Sequence, residues 1–144
     1  MKFENYMILE FPSKSCNEAF ARSAVSCFAA QMDPTIEELG DIRTAVSEAV
    51  TNAIVHAYPD EIGIIRLKAR IVDEDKLEIV VMDKGRGIPN LEQAMEPLFT
   101  TGGDERSGMG FTIMESFTDK LKVRSAVGKG TTVTMIRRIR RRRV

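Results

Sequence analysis

Apolar and polar side chains alternate along five segments of the chain, and this pattern predicts five β-strands. The first segment, YMILEF, ends at a proline, a residue that is tolerated at the ends and edges of sheets. The other four segments form two pairs joined by short turns, as expected for two β-hairpins. The predicted strands are residues 6–11, 65–71, 76–83, 120–126 and 131–139.

Three further segments have the apolar spacing of helices, at residues 15–31, 36–57 and 107–117. In the first of them, Ser15 and Glu18 have the spacing of a capping box, which predicts Ser15 as the N-cap. The side chains predicted to face the core from this helix are Phe20, Ala24, Cys27 and Phe28.

The order of these elements, β-α-α-β-β-loop-α-β-β, predicts an α+β fold. We expect a two-layer sandwich with a mixed, mostly antiparallel sheet and helices on one face. A length of 144 residues suits one domain, which we place at residues 1–136. A loop as long as the one at about 88–107 is uncommon in a compact domain unless it is a lid or a binding loop.

Charge is distributed unevenly along the chain. The 21 basic and 21 acidic side chains cancel, but six arginines lie in the tail at 137–144. Residues 1–136 therefore carry 15 basic side chains (21 minus 6) against 21 acidic ones. We expect the tail to be solvated and partly disordered, with contact to nucleic acid or a membrane as the alternative. Because no aromatic platform accompanies these arginines, no direct DNA binding is expected.

Composition also bears on location and on metal chemistry. No apolar run reaches the roughly 18 residues of a membrane helix, and acidic residues interrupt the apolar N-terminus, unlike a signal peptide. Cys16 and Cys27 lie too far apart along one helix for a disulfide, so we expect two small core residues in a reducing cytoplasm. The single histidine leaves no set of zinc ligands.

The 36–57 helix carries the first candidate site residues, Glu48 and Asn52. These two side chains are four residues apart, so they lie one above the other on the helix surface. They fall outside the broad apolar arc that must face the core. Taken alone, this helix favours a solvated face over the wall of a site.

Three glycine-containing segments follow that helix, and each suits nucleotide binding. Asp83 ends a strand and can accept hydrogen bonds from an exocyclic amine, while Gly85 and Gly87 allow the backbone to approach a flat ring. Gly108 and Gly110 place bare backbone N–H groups at a helix N-terminus, which suits phosphate. The third segment is the GKGTT turn at 128–132. Each is a weak signal alone, and their joint order is a strong one.

This order of motifs resembles the ATP-binding fold shared by gyrase, histidine kinases and MutL. Walker, Rossmann and protein-kinase motifs do not occur in the sequence. Four longer segments resemble the sporulation anti-sigma F factors, a family of serine protein kinases. They are NEAFARSAVSCFAAQMDPT, SEAVTNAIVHAY, EPLFTT and ERSGMGFTIME. The chain departs from the family in its short 58–63 loop, in GGDE within the lid and in its arginine tail.

The resemblance implies a role for each matching residue. It implies that Asn52 ligates a Mg²⁺ ion that bridges the ATP phosphates, and that Glu48 is the catalytic base for a serine hydroxyl. Asp83 matches the residue that recognises adenine, with Gly85 and Gly87 beside it. Thr131 completes the base pocket, and the residues that match the phosphate-binding turn are Ser107, Gly108, Met109 and Gly110. Arg106, just before that turn, is placed to reach either the γ-phosphate or the protein partner.

The resemblance also implies partners. The family binds and inhibits a sporulation sigma factor, uses ATP to phosphorylate a serine of an anti-anti-sigma factor, and forms homodimers. Arg22 matches an arginine that engages both partners. His56 is expected to be structural or to lie at the edge of the site, because no residues remain to build a phosphoacceptor hairpin. The alternatives are an anti-sigma B type stress-response kinase, a water-activating ATPase of the gyrase and MutL class, and a protein that binds nucleotide without turnover.

Overall fold

The computed structural model describes residues 3–96 and 110–140, and its centre is a five-stranded sheet. Every neighbouring pair of these strands is antiparallel, and their order across the sheet is β1-β2-β3-β5-β4. The five strands predicted from the sequence are therefore confirmed. The predicted sheet was mixed, but no parallel pair occurs among the described strands. The strands are β1 Phe3–Pro12, β2 Ile64–Val72, β3 Lys76–Asp83, β4 Lys120–Ala126 and β5 Gly130–Arg138.

The helices form the second layer, with α2 packed between α1 and α4. A 3₁₀ turn at Ala30–Met32 follows α1, and a π-helical turn at Ala53–Ala57 extends α2. Of the predicted lid, the structure describes residues 88–96, which contain one short helix. The helices are α1 Asn17–Ala29, α2 Ile36–Asn52, α3 Leu91–Ala94 and α4 Gly110–Ser116.

Apolar side chains from all five strands meet the helices on one face of the sheet. Strand register places one such row directly across the sheet, and its inward side chains alternate with outward ones, most of which are polar. This arrangement confirms the two-layer α+β sandwich predicted from the alternating pattern. The row consists of Leu9, Leu67, Val81, Val133 and Val123.

The predicted core face of α1 was largely wrong, although Phe28 is partly buried and packs against the core. Its buried side chains are the small ones Ala21, Val25 and Ala29, which let α1 pack closely on α2. Phe20 is 55% exposed. Both cysteines are exposed as well, so the prediction that they are core residues fails.

The capping box also lies on a different helix from the predicted one. Cys16, not Ser15, is the N-cap of α1, and it makes no side-chain capping bond. On α2, the Thr35 hydroxyl accepts a hydrogen bond from Glu38 N, and Glu38 Oε1 accepts one from Thr35 N, both at 2.9 Å. Glu38 is only 7% exposed. This capping box therefore anchors the start of α2 inside the protein.

The first residues beyond position 136 are attached to the body of the domain. Ile139 is buried, and its N–H donates to the backbone of the β2–β3 turn at 2.7 Å. Arg137 forms ion pairs with Asp41 at 3.0 Å and with Asp119 at 3.6 Å, while Arg140 N donates to Glu38 Oε2 at 2.9 Å. Residues 137–140 are thus not a solvated tail, and the domain boundary after 136 stays a prediction.

We predict that Glu38→Gln lowers the free energy of unfolding by about 1 kcal/mol at pH 7, because neutral hydrogen bonds replace charge-assisted ones. Burial alone raises the pKa of Glu38, but hydrogen bonds from the Thr35 and Arg140 backbones and the Arg137 charge bring the pKa below its ordinary 4.5. The stabilisation is therefore present above pH 4.5 and is lost as the pH falls through the folded-state pKa.

Urea unfolding followed by circular dichroism, at neutral and acidic pH, measures this difference. Glu37→Gln, an exposed neighbour in the same helical turn, is the matched control and should unfold like the parent protein. Equal losses for both variants, or a loss for Glu38→Gln that does not shrink in acid, would contradict the assignment.

Candidate nucleotide-binding site

One wall of the candidate site is the C-terminal end of α2. Asn52 is the last α-helical residue and Glu48 lies one turn before it, and both side chains are half-buried. A π-helical turn begins at the next residue, and such turns are rare and frequent at functional sites. A Cβ atom built on Gly110 would lie 3.4 Å from Asn52 Oδ1, so the start of α4 faces this carboxamide. The structure therefore brings two predicted site residues, Asn52 and Gly110, together.

Asp83, at the end of β3, organises the opposite end of the site. Its Oδ1 atom accepts hydrogen bonds from Gly85 N at 3.0 Å and from Thr131 N at 3.2 Å. Burial raises the pKa of Asp83 above its ordinary value, and these two hydrogen bonds only partly offset the rise. Both described bonds go to Oδ1, and none goes to Oδ2.

Close backbone contacts explain why three positions around Asp83 are glycines. A Cβ on Gly85 would collide with the carbonyl of Ala57, and one on Gly130 would collide with the carbonyl of Asp83. Gly87 has φ +76° and lies against the carbonyl of Ala126. The loop after β3 is thereby held between the π-turn of α2 on one side and the β4–β5 hairpin on the other.

Two hydroxyl groups that the sequence did not single out also hold this loop. Tyr58 Oη accepts from Lys84 N at 2.7 Å and donates to the Ile64 carbonyl at 3.0 Å. Ser125 Oγ accepts from Ile88 N at 2.8 Å and lies 2.8 Å from Thr131 Oγ1. No local motif marks Ser125, whereas the aromatic Tyr58 directly after the SEAVTNAIVHA helix was a signal available in the sequence.

The remaining predicted residues divide into two groups. Arg22, on α1, is half-buried and forms an ion pair with Glu18 at 3.7 Å, and no described hydrogen bond or ion pair connects it to the site. His56 lies in the π-turn, where its carbonyl accepts from Arg86 Nε at 2.9 Å, a contact at the edge of the site. The residues that lie outside the described ranges are Arg106, Ser107, Gly108 and Met109.

Comparison with known proteins agrees with this geometry. The family model described as histidine kinase-like ATPase domain matches residues 11–137. A protein of Caldanaerobacter subterraneus subsp. tengcongensis named anti-sigma F factor is 58% identical over 144 residues, covering 99% of this chain and 100% of that protein. This chain belongs to the anti-sigma F factor family. Another member, from Clostridium beijerinckii, is 58% identical over 134 residues. The match covers 92% of this chain and 93% of the Clostridium protein.

Solved structures of other proteins have the same fold as this chain. The RsbU and RsbW domains of a Mycobacterium tuberculosis protein align with a TM-score of 0.70 at 19% identity, covering 94% of this chain and 32% of that one. The mycobacterial sensor histidine kinase MprB aligns with a TM-score of 0.59 at 18% identity, covering 92% and 99%. Together with the family model, these matches confirm the predicted histidine kinase-like ATPase fold. In the parts of the chain that the structure describes, no helix has the length and apolarity to cross a membrane.

We predict that Asp83→Asn has opposite effects on stability and on ATP affinity. Because the pKa of Asp83 is raised by burial, its contribution to stability is present at low pH and is lost as pH rises through the folded-state pKa. An uncharged side chain of the same shape should therefore stabilise the nucleotide-free protein at pH 7. It should bind ATP about tenfold or more weakly, because a charge-assisted acceptor is lost and an N–H group faces the adenine amine.

Urea unfolding measures the change in the free energy of unfolding, and titration with a fluorescent ATP analogue measures the change in nucleotide affinity. Asp33→Asn, at the far end of α2 in a left-handed conformation that asparagine tolerates, is the matched control and should change neither quantity much. A destabilised Asp83→Asn variant with unchanged ATP affinity would overturn the role assigned to this carboxylate.

Proposed function

We propose that this anti-sigma F family member binds ATP and transfers its γ-phosphoryl group to a serine of an anti-anti-sigma factor. The observation that supports this proposal is that predicted motifs from distant parts of the sequence lie together at both ends of one site. Asn52 faces the start of α4 at the phosphate end, and Asp83 is bonded to Gly85 and Thr131 at the base end. Glu48 lies one helical turn behind Asn52, beside the phosphate end.

The donor atoms at the phosphate end suit Mg²⁺. Asn52 offers a neutral carboxamide oxygen, a hard ligand of the kind this ion accepts. Among the described residues there is no cluster of three or more His, Cys, Asp or Glu side chains that could hold a metal by themselves. That composition fits an ion held by one protein oxygen together with substrate phosphates and water. When bound, Mg²⁺ neutralises charge that develops on the phosphates.

Glu48 is the residue we assign as general base. In this role its carboxylate orients the hydroxyl of the partner serine. The carboxylate takes up the hydroxyl proton as the serine oxygen bonds to the γ-phosphorus. The bond between that phosphorus and the β,γ-bridging oxygen breaks at the same time, and ADP leaves with the electron pair. Most of the rate enhancement in such reactions comes from positioning and electrostatics, which a residue on a packed helix can provide.

The partners follow from the family. We infer that the protein sequesters a sporulation sigma factor, that Arg22 contributes to the surface used by both partners, and that the working form is a homodimer. The half-buried Arg22 guanidinium, tied to Glu18, presents a charge fixed on the outer part of α1. The name anti-sigma F factor, shared by relatives at 55–58% identity, favours this assignment over a stress-response kinase.

One experiment distinguishes the proposed kinase from the other classes of protein. The protein is incubated with Mg-ATP labelled at the γ-phosphate, with and without the cognate anti-anti-sigma protein. Label on a partner serine supports the kinase. Free phosphate released without the partner would instead indicate a water-activating ATPase, and bound but unchanged ATP would indicate a binding protein.

We predict that Glu48→Gln retains ATP affinity and reduces phosphoryl transfer by about 100-fold or more, the usual contribution of a general base. The amide keeps the size of the carboxylate but cannot accept the serine proton. Initial rates of serine labelling, together with an ATP titration, separate these effects. Glu37→Gln at the other end of α2 is the control, and transfer by Glu48→Gln at the parental rate would show that the base lies elsewhere.

A further inference from the structure

The outer face of the sheet, which is the side turned away from the helices, concentrates positive charge. Strand register places eight cations and two acids, Glu10 and Glu78, at its outward positions. Seven of these cations belong to residues 1–136, where 15 basic side chains are outnumbered by 21 acidic ones. The remainder of that range has 8 basic (15 minus 7) against 19 acidic (21 minus 2) side chains. The two signs of charge are therefore segregated on the molecule.

Six of the eight cations form two rows of like charge. Within a row the side chains occupy every second strand position, about 6.6 Å apart, and repel one another. Of these six, Arg70 is paired with Glu78, and the other five have no ion-pair partner within residues 3–96 and 110–140. The first row is Arg66, Lys68 and Arg70 on β2, and the second is Lys120, Lys122 and Arg124 on β4.

The remaining two outward cations lie beside the β2–β3 turn. Lys76 is paired with Asp73 at 3.7 Å, and Arg138 is paired with Asp75 at 3.5 Å. Acidic side chains of the chain itself thus compensate the charge at this end of the sheet. The two rows differ from it in being largely uncompensated within the described residues.

Protection of a sheet edge explains only one of the two rows. β4 lies at an edge of the sheet, where lysine commonly prevents pairing with another chain. β2 lies between β1 and β3, so its backbone is already hydrogen-bonded on both sides and needs no such protection. The repulsion along the β2 row therefore has another explanation, and a negatively charged partner would relieve it.

An uncharged strip separates the two rows. β3 and β5 lie between β2 and β4, and apart from the buried Glu78 their outward side chains there are uncharged and half-buried. Three strand spacings of about 4.8 Å place the rows about 14 Å apart. An α-helix is about 10–12 Å across including its side chains, so one helix fits between the rows. The strip consists of Val80, Met82, Thr132, Thr134 and Ile136.

The dimensions along the strands also match a helix. Residues four apart in a helix are separated by about 6.0 Å along its axis, close to the 6.6 Å between successive cations of a row. The eight residues of β3 span about 26 Å, which is the length of a helix of about 18 residues. Carboxylates along both flanks of such a helix would meet the two rows, and an apolar stripe between them would cover the strip.

We propose that the outer face binds an acidic amphipathic α-helix of a partner protein. Nucleic acid is the less suitable polyanion, because no outward position of β2 to β5 carries an aromatic side chain and the apolar strip offers phosphate no donor. The surface lies on the opposite side of the sheet from α2, so a helix bound there leaves Asn52 and Glu48 uncovered. The inference is thus independent of phosphoryl transfer.

A designed peptide tests the proposal on the full chain. The probe is a fluorescein-labelled helical peptide of about 18 residues, with a leucine stripe flanked on both sides by glutamates. A peptide of the same composition in scrambled order is the comparison. In fluorescence anisotropy at about 0.15 M salt, the amphipathic peptide should bind about tenfold or more tightly than the scrambled one. Its NMR footprint should lie on the outward residues of β2 to β5, and equal affinities or a footprint elsewhere would overturn the proposal.

Variants of the face separate its two parts. Lys68→Glu combined with Lys122→Glu, one change in each row, should weaken binding of the amphipathic peptide about tenfold or more. Val80→Thr, which keeps the side-chain shape but adds a hydroxyl to the strip, should weaken it about threefold. The matched control is Lys14→Glu combined with Arg43→Glu, two exposed cations outside the outer face, and it should bind like the parent protein. An equal loss in this control would show that net charge alone governs binding and would contradict the proposal.

Urea unfolding shows whether the rows serve the fold instead. Since like charges are removed, the Lys68→Glu and Lys122→Glu double variant should be at least as stable as the parent, and a clear loss of stability would contradict the argument from repulsion. Tighter binding of a DNA or RNA duplex than of the amphipathic peptide would assign the face to nucleic acid. Self-association that disappears in this double variant would assign it to a second copy of the chain. Either result would overturn the proposed helix.

Discussion

Asp83 Oδ1 accepts two backbone N–H groups, one from the nearby Gly85 and one from Thr131, which is 48 residues further along the chain than Asp83. This pair of bonds holds a carboxylate partly out of water, and neither bond goes to its second oxygen. These bonds require a close approach of the backbones, which is possible only because Gly85 and Gly130 have no side chains. Burial raises the pKa of Asp83, so the ionised carboxylate lowers the stability of the folded protein at neutral pH.

The phosphate end depends on α2 in a different way. The helix is anchored at its start by the Thr35–Glu38 capping box and by Arg140, which reaches Glu38 from the C-terminal segment. At its end, the α-helical geometry changes to a π-turn directly after Asn52. A helix fixed at its start and packed between two others gives Asn52 and Glu48 defined positions, which the proposed phosphoryl transfer requires.

Much of this fold was predictable because alternating strands report their buried face directly, as Leu67 and Val81 do. The helix α1 was less predictable, since its core face consists of Ala21, Val25 and Ala29, whose small size gives a weak signal beside an exposed Phe20. The site motifs were found by their order. Ser125 was not, because its role arises from strand register and not from neighbours in sequence. The docking of Ile139 was equally hidden, because its partners lie in distant turns.

The central claim is that nucleotide lies with its base at Asp83 and its phosphates at the junction of Asn52 and Gly110. The most direct test is a crystal structure with a non-hydrolysable ATP analogue and Mn²⁺ in place of Mg²⁺, with the metal located by anomalous scattering. We predict a metal peak at bonding distance from Asn52 Oδ1, about 2.1 Å, and an adenine amine that donates to Asp83 Oδ2. A metal peak away from Asn52, or a base bound elsewhere than at Asp83, would contradict it.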